Sequence, residues 1–348
     1  VVSNLTKKPF ILPKELNQLG TVSYKGNITG FFSNLVAYGN LNTNLGSVST
    51  DVLLKFENML KDLTYNGTVK SNNFQLGRLL NNKQLGKITF NINTNGTKIH
   101  NTAARGKVKA QIAELQFNKY NYRDINFDGD YDGTGFDGEI ALKDENINAN
   151  FKGIIDLTQK LPVFDFDLRV QNTNLHALHL INKYPGALLS FVGKTNMVGN
   201  SPDNINGSVL FDSILFTNKD KTLNVNEIKF VSRTENAYTN FIINSDYVNG
   251  SFTGDFKYST IGKTVNKIIN YYLPSLAVKK DIATFNQNHV DIDLKIQGIN
   301  DLTDILELPY KLTGVATLKG SIDEASNKIN LSGLIPSLTF NKQKIENI

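Results

Sequence analysis

The sharpest spacing in the sequence is a run of acids. Asp128, Asp130, Asp132 and Glu139 occupy positions 1, 3, 5 and 12 of a stretch with Gly133 at position 6, the ligand order of a calcium loop that surrounds a hard cation with oxygens. Such a loop needs a helix on each side. Here Ile125, Phe127, Tyr131, Phe136 and Ile140 alternate with polar residues, and position 8, normally apolar, is Gly135. A strand hairpin with its acids on a solvated face is therefore expected, and Ca²⁺ binding is the alternative. His176 and His179 lie one helical turn apart, a spacing that could bring two imidazoles to one metal, yet no carboxylate shares the turn. A plain helix surface is expected there. His100 and His289 are isolated, and cysteine is absent, which removes thiolate chemistry, disulfides and most soft-metal sites. No nucleophile elbow, phosphate-cradling glycine loop or dinucleotide fingerprint is present. The expectation is a protein with no catalytic residues, no cofactor and no metal: not an enzyme.

The elements that position these residues are strands. Apolar and polar residues alternate with period 2 along most of the chain, as in a sheet with one apolar face. Val22, Tyr24, Ile28 and Phe32 share a parity with Gly26 and Gly30. The same pattern returns at Ile88, Phe90, Ile92; at Phe136, Ile140, Leu142; and at Phe151, Ile155, Leu157. It continues at Phe164, Phe166, Leu168, Val170 and at Val290, Ile292, Leu294, Ile296. All these side chains are expected to line one inward face. A looser repeat, large residue, any residue, Gly, any residue, apolar residue, runs through Tyr24–Ile28, Tyr65–Val69, Phe136–Ile140, Phe151–Ile155, Phe252–Phe256 and Leu312–Ala316. An inward glycine lets a sheet curve tightly. Asn95-Gly96, Asp132-Gly133 and Asn206-Gly207 are read as turns between strands. Short helices are expected over Phe74–Leu80, Leu175–Phe191, Ile261–Leu273 and Leu302–Leu308.

The fold class that follows is all-β: a long, strongly curved, mostly antiparallel repeating β-groove, taco-like, with a few short helices. About 20 to 25 strands at roughly 4.8 Å each would extend on the order of 100 to 120 Å. A sandwich of paired sheets is the compact alternative. One continuous body over residues 1–348 is expected, with strand repeats over 20–172, a short helix and then strands over 173–260, and a helix and then strands over 261–348. The 37 basic and 32 acidic residues alternate, and the formal charge of +5 comes without a Lys/Arg block. Nucleic acid is thus not an expected partner. No run approaches the roughly 20 apolar residues of a membrane helix. The sequence starts at Val1 without a leader, so it is expected to be cut from a longer chain.

Particular segments resemble a known family. Tyr120-Asn121-Tyr122-Arg123-Asp124-Ile125, Phe136-Asp137-Gly138-Glu139-Ile140, Asp144-Glu145-Asn146, Phe151 to Leu157 and Pro162-Val163-Phe164-Asp165-Phe166 are similar to the TamB translocation and assembly module proteins of Bacteroidota, AsmA-like in a wider sense. Phe74 to Leu80 followed by Leu85 to Phe90 fits the same pattern. The likeness is densest from about Gly20 to Leu180 and thins to a general AsmA-like character beyond, as at Pro309 to Gly314. It implies a mid-region of a periplasmic protein anchored in the inner membrane by a helix upstream of this chain. Its implied partners are phospholipid and, at the downstream end, a β-barrel protein of the outer-membrane assembly type. The implied function is conduction of phospholipid acyl chains along an apolar groove between the two membranes. The alternative is a scaffold or chaperone for assembly and translocation of outer-membrane proteins.

Overall fold

The computed structural model describes residues 18–31, 33–59, 61–272, 287–341 and 343–346. The chain is all-β: among the described residues there are twenty-one strands, of which 18 belong to one large antiparallel sheet. Two compact units are formed, Val1–Lys152 with Asn174–Pro185, and Gly153–Thr173 with Gly186–Ile348.

The first unit is a meander. β1 (Ser23–Phe31), β2 (Asn34–Thr43), β3 (Gly46–Glu57), β4 (Asp62–Phe74), β5 (Leu85–Lys98), β6 (Arg105–Phe117), β7 (Tyr120–Asp132) and β8 (Gly135–Asp144) each pair antiparallel with the next. β9 (Ile147–Asp156) follows. The period-2 pattern dictates this arrangement, because in register it stacks like residues into rows. Tyr24, Leu41, Val48, Ser71, Phe90, Ile112, Ile125 and Leu142 are successive cross-strand partners. The next row on the same face is Gly26, Gly39, Thr50, Val69, Ile92, Ala110, Phe127 and Ile140. A one-residue slip would turn every such row to water.

Two tyrosines lean across a pair of glycines. Tyr65 and Tyr131 sit three strand spacings apart, roughly 14 Å, and their hydroxyls are hydrogen-bonded to each other. Between them in the same row lie Gly96 and Gly106. A Cβ on Gly106 would stand 2.1 Å from the Asn95 carbonyl oxygen and 2.6 Å from the Gly96 Cα, so only glycine fits at this close approach of β5 and β6. Asn95-Gly96, expected as a turn, is therefore interior to β5, and Asn206-Gly207 opens a strand. Asp132-Gly133 does end a strand, with Gly133 at φ 59°. Other hairpins turn without glycine: Asn118-Lys119 and Asn236-Ala237 have both residues at positive φ, the geometry that suits the twist of the flanking strands.

In the second unit β10 (Val163–Thr173), β11 (Leu188–Val198), β12 (Asn206–Asn218), β13 (Lys221–Glu235), β14 (Tyr238–Ser245), β15 (Val248–Asp255) and β16 (His289–Ile296) pair in chain order. β17 (Tyr310–Thr313), β20 (Ser337–Phe340) and β21 (Gln343–Glu346) make a small separate sheet. β18 (Ala316–Asp323) and β19 (Lys328–Leu334) continue the large one beyond β16.

The described α-helices are α1 (Leu76–Leu79), α2 (Tyr258–Tyr272) and α3 (Asn300–Ile305). They answer to three of the four helical expectations. The fourth, Leu175–Phe191, is corrected: the Asn174 side chain accepts from the Ala177 N–H at 3.0 Å and caps a turn that goes no further, since His179 and Tyr184 adopt positive φ. Pro185 and Gly186 then lead into β11, which begins at Leu188. Residues 173–260 accordingly begin with turns rather than a helix.

Each helix closes one end of an apolar face. α1 lies beside the buried cluster Leu45, Phe74 and Ile88 in the first unit. In the second, α2 packs on Phe256, Val290 and Ile322 through Ile268, and α3 on Leu223 and Val225 through Ile305, at the opposite ends of the strands. Among the described residues no helix is long and apolar enough to cross a membrane.

Candidate functional site

The acids of the calcium-like spacing lie in the β7–β8 hairpin, where Asp128 is opposite Glu139 and Asp130 opposite Asp137. Lys109 Nζ is 2.9 Å from Asp128 and Lys107 Nζ 3.9 Å from Asp130, all exposed. These residues form the polar face of the sheet. Lys152 and Glu139 add another exposed pair at 2.6 Å on the same side, and such pairs contribute about 1 kcal/mol or less. His179 lies in a left-handed turn and its carbonyl accepts from the Asn118 side-chain amide at 2.8 Å.

Nearly all the residues expected to line one inward face lie on strands. Tyr24 and Ile28 lie on β1; Ile88, Phe90 and Ile92 on β5; Phe136, Ile140 and Leu142 on β8; Phe151 and Ile155 on β9. Phe164, Phe166, Leu168 and Val170 lie on β10, and Val290, Ile292, Leu294 and Ile296 on β16. Rings meet along this face, with Phe127 and Phe136 at 6.1 Å and Phe136 and Phe151 at 6.4 Å between centroids. Two of the expected residues lie outside the strands. Val22 precedes the first paired residue, Ser23, and is 49% exposed; Leu157 is 48% exposed. β9 stops at Asp156 because its carboxylate accepts from the Thr158 N–H at 2.8 Å and turns the chain. Phe32 lies outside the described residues.

The face is apolar without being covered. Its residues on β2 and β3 are only half-buried, and Ile28 is 59% exposed. The described helices account for too little surface to roof it, being 4, 15 and 6 residues long. Where α2 does cross the second unit's sheet, it leaves a cavity of about 630 Å³. The floor is Met197, Val209, Phe230, Phe241, Phe252 and Ile292, and the α2 side contributes Tyr258, Ile261 and Val265. Phe241 lies 6.1 Å from both Phe230 and Phe252, and 5.7 Å from Tyr258. The sequence reading missed this wall. Phe230, Phe241 and Phe252 come from three strands, and only register makes them neighbours: Phe252 faces Phe241, and Phe230 faces the adjacent Ile243. The Phe252 to Phe256 repeat and the amphipathic stripe of α2 were the signals available.

Polar atoms fasten α2 rather than line the cavity. Glu324 is fully buried; it accepts from the Thr264 hydroxyl at 2.8 Å and lies 3.1 Å from Lys267 Nζ, both on α2. Buried Asn288 donates its side-chain amide to Thr264 at 2.7 Å and accepts from the Lys257 N–H at 2.9 Å. At the same N-terminal end of the helix Asp203 accepts from both the N–H and the hydroxyl of Ser259, bonds that hold its carboxyl below the usual range. Within the wall, Ser232 and Tyr258 hydroxyls satisfy one another at 3.1 Å. Burial pushes the Tyr258 phenol upward, so it stays neutral. Such a site offers carbon surface and no reactive group.

A separate polar clamp ties the first unit's β7 to the β8–β9 turn. The Tyr120 hydroxyl donates to Asp144, whose other oxygen accepts from the Arg123 N–H at 3.0 Å. Burial, then the Asp144 carboxylate, push Tyr120 up to about 12.

Comparison of the chain with protein-family models, with curated proteins and with solved structures gives no match.

Proposed function

We propose that this protein is a non-enzymatic carrier of phospholipid acyl chains, a segment of a TamB-like, taco-shaped β-groove that bridges inner and outer membranes through the periplasm. The observation that carries the reading is the apolar face of each unit, continuous from strand to strand and left half-exposed, with a helix only at its ends. Large exposed apolar patches mark binding surfaces. Moving a chain of about 16 carbons bare into water costs roughly 13 kcal/mol at about 0.8 kcal/mol per methylene. A face lined by Phe, Ile, Leu and Val offsets that cost at every step, with the headgroup in water at the rim. No reaction is required of the protein. An inner-membrane helix upstream and an outer-membrane β-barrel partner downstream complete the proposed route.

Lipid mass spectrometry on the purified chain tests the reading. Co-purifying phospholipid at one or more molecules per chain is the expected result. Lipid-free protein that instead retains unfolded outer-membrane polypeptide would favour the scaffold function and overturn this one.

A further inference from the structure

We propose that the cavity beneath α2 is a discrete retention site for one alkyl chain, a place where a lipid tail halts rather than slides. The inference deepens the proposed function and rests on its premise that the apolar face takes hydrocarbon.

Three observations carry it. The first is size. A cavity of about 150 Å³ takes benzene, roughly 25 Å³ per carbon; at that ratio the about 630 Å³ here holds one chain of about 16 to 18 carbons with slack and not two. The second is chemistry: the side chains that line the cavity are apolar except for Ser208, Ser232 and Tyr258, and the last two are hydrogen-bonded to each other, so little is left for a headgroup, ester or peptide to pair with. A polar ligand would lose its water without compensation, whereas a saturated tail loses nothing. The third is the roof. Elsewhere on the face an occupant would touch the sheet alone, but here Ile261 and Val265 close over it from α2. The helix itself is fixed by the buried Glu324 and Asn288 bonds. Contact on two sides raises the buried area per methylene, so the tail dwells longer at this point than on the open face.

The test uses the purified chain and a 16-carbon fatty acid bearing a nitroxide near its methyl end, read by electron paramagnetic resonance. One strongly immobilised label per chain is expected. Val265→Trp, filling the cavity from the helix, and Val209→Phe, filling it from the sheet, should each weaken that immobilised binding at least tenfold. Lys229→Trp on the polar face of β13 should leave it unchanged. Should Val265→Trp fail to fold by circular dichroism, Val209→Phe decides. Label bound at several per chain, and equally in all variants, would overturn the discrete site while leaving the acyl-carrier reading intact. No bound label in any variant would overturn both.

Discussion

Single residues decide how closely strands approach and where α2 stays. Gly106 lies in the row that joins Tyr65 to Tyr131, against the backbone of β5, and the linked hydroxyls sit over its neighbour Gly96. Gly106→Val puts a side chain into main chain that cannot move aside, and overpacking of this kind costs about 1–3 kcal/mol. A lower midpoint in urea denaturation is the expected outcome, with Lys107→Val, one residue along on the polar face, close to wild type. Glu324 makes the complementary case. Removing its carboxylate takes the acceptor from the buried Thr264 hydroxyl and Asn288 N–H, and each buried group left unsatisfied costs about 1–3 kcal/mol. Glu324→Ala should therefore lower stability by an amount of that order and speed hydrogen exchange in α2 well ahead of β6. Unchanged exchange in the helix would show that its apolar contacts alone hold it. Tyr120 adds a pH dependence with a definite sign. Its folded value is raised from 10.0 to about 12, so the native state holds the phenolic proton more tightly. The stabilisation is complete below pH 10 and is lost as pH rises from about 10 to about 12. Tyr120→Phe should remove one phenol from the tyrosines that titrate above about pH 10 in phenolate absorbance, and with it that residue's share of the alkaline stability change.

Elements inherit their roles from the period of the sequence. The β7–β8 hairpin is where a metal-ligand spacing and a strand alternation compete, and the alternation prevails because both flanks pair in register for the length of the strands. Asp128 and Asp130 point the same way as Lys109 and Lys107, their partners across β6, which neutralises the carboxylates with protein cations. Calorimetry with Ca²⁺ should give no micromolar binding, and Asp128→Ala should leave the titration unaltered; heat of micromolar affinity abolished by that substitution would contradict the hairpin assignment. Helices were legible where an apolar stripe recurs at helical spacing, as at Val265, Ile268 and Ile269 of α2. Over Leu175–Phe191 the apolar residues of a short turn and of β11 are separated by Asn182 to Gly186, and the Pro185-Gly186 pair was the signal that no helix runs through. The left-handed conformations of His179 and Tyr184 also break the segment, and these residue types do not announce such a backbone.

At the scale of the whole molecule, the alternation was readable because one face of the sheet is polar and the other apolar, so strand after strand carries the same code. Register was not readable. That Gly96 meets Gly106, or that Phe241 lies between Phe230 and Phe252, depends on pairings that no single strand encodes. Turn residues misled in the same way: Asn95-Gly96 has the composition of a hairpin loop but lies inside a strand, where Gly96 lets the strands and two tyrosine hydroxyls come close. On the proposed function the apolar face, and not the protein surface in general, contacts lipid. Phe151 and Asn150 are neighbours on β9 pointing to opposite faces, with Phe151 against Phe136 and Asn150 exposed. A photo-crosslinking residue placed at each, in protein mixed with phospholipid vesicles, samples one location in two directions. Phospholipid adducts are expected from position 151 and none from position 150; equal labelling from both, or protein adducts alone from 151, would overturn lipid conduction along the apolar face.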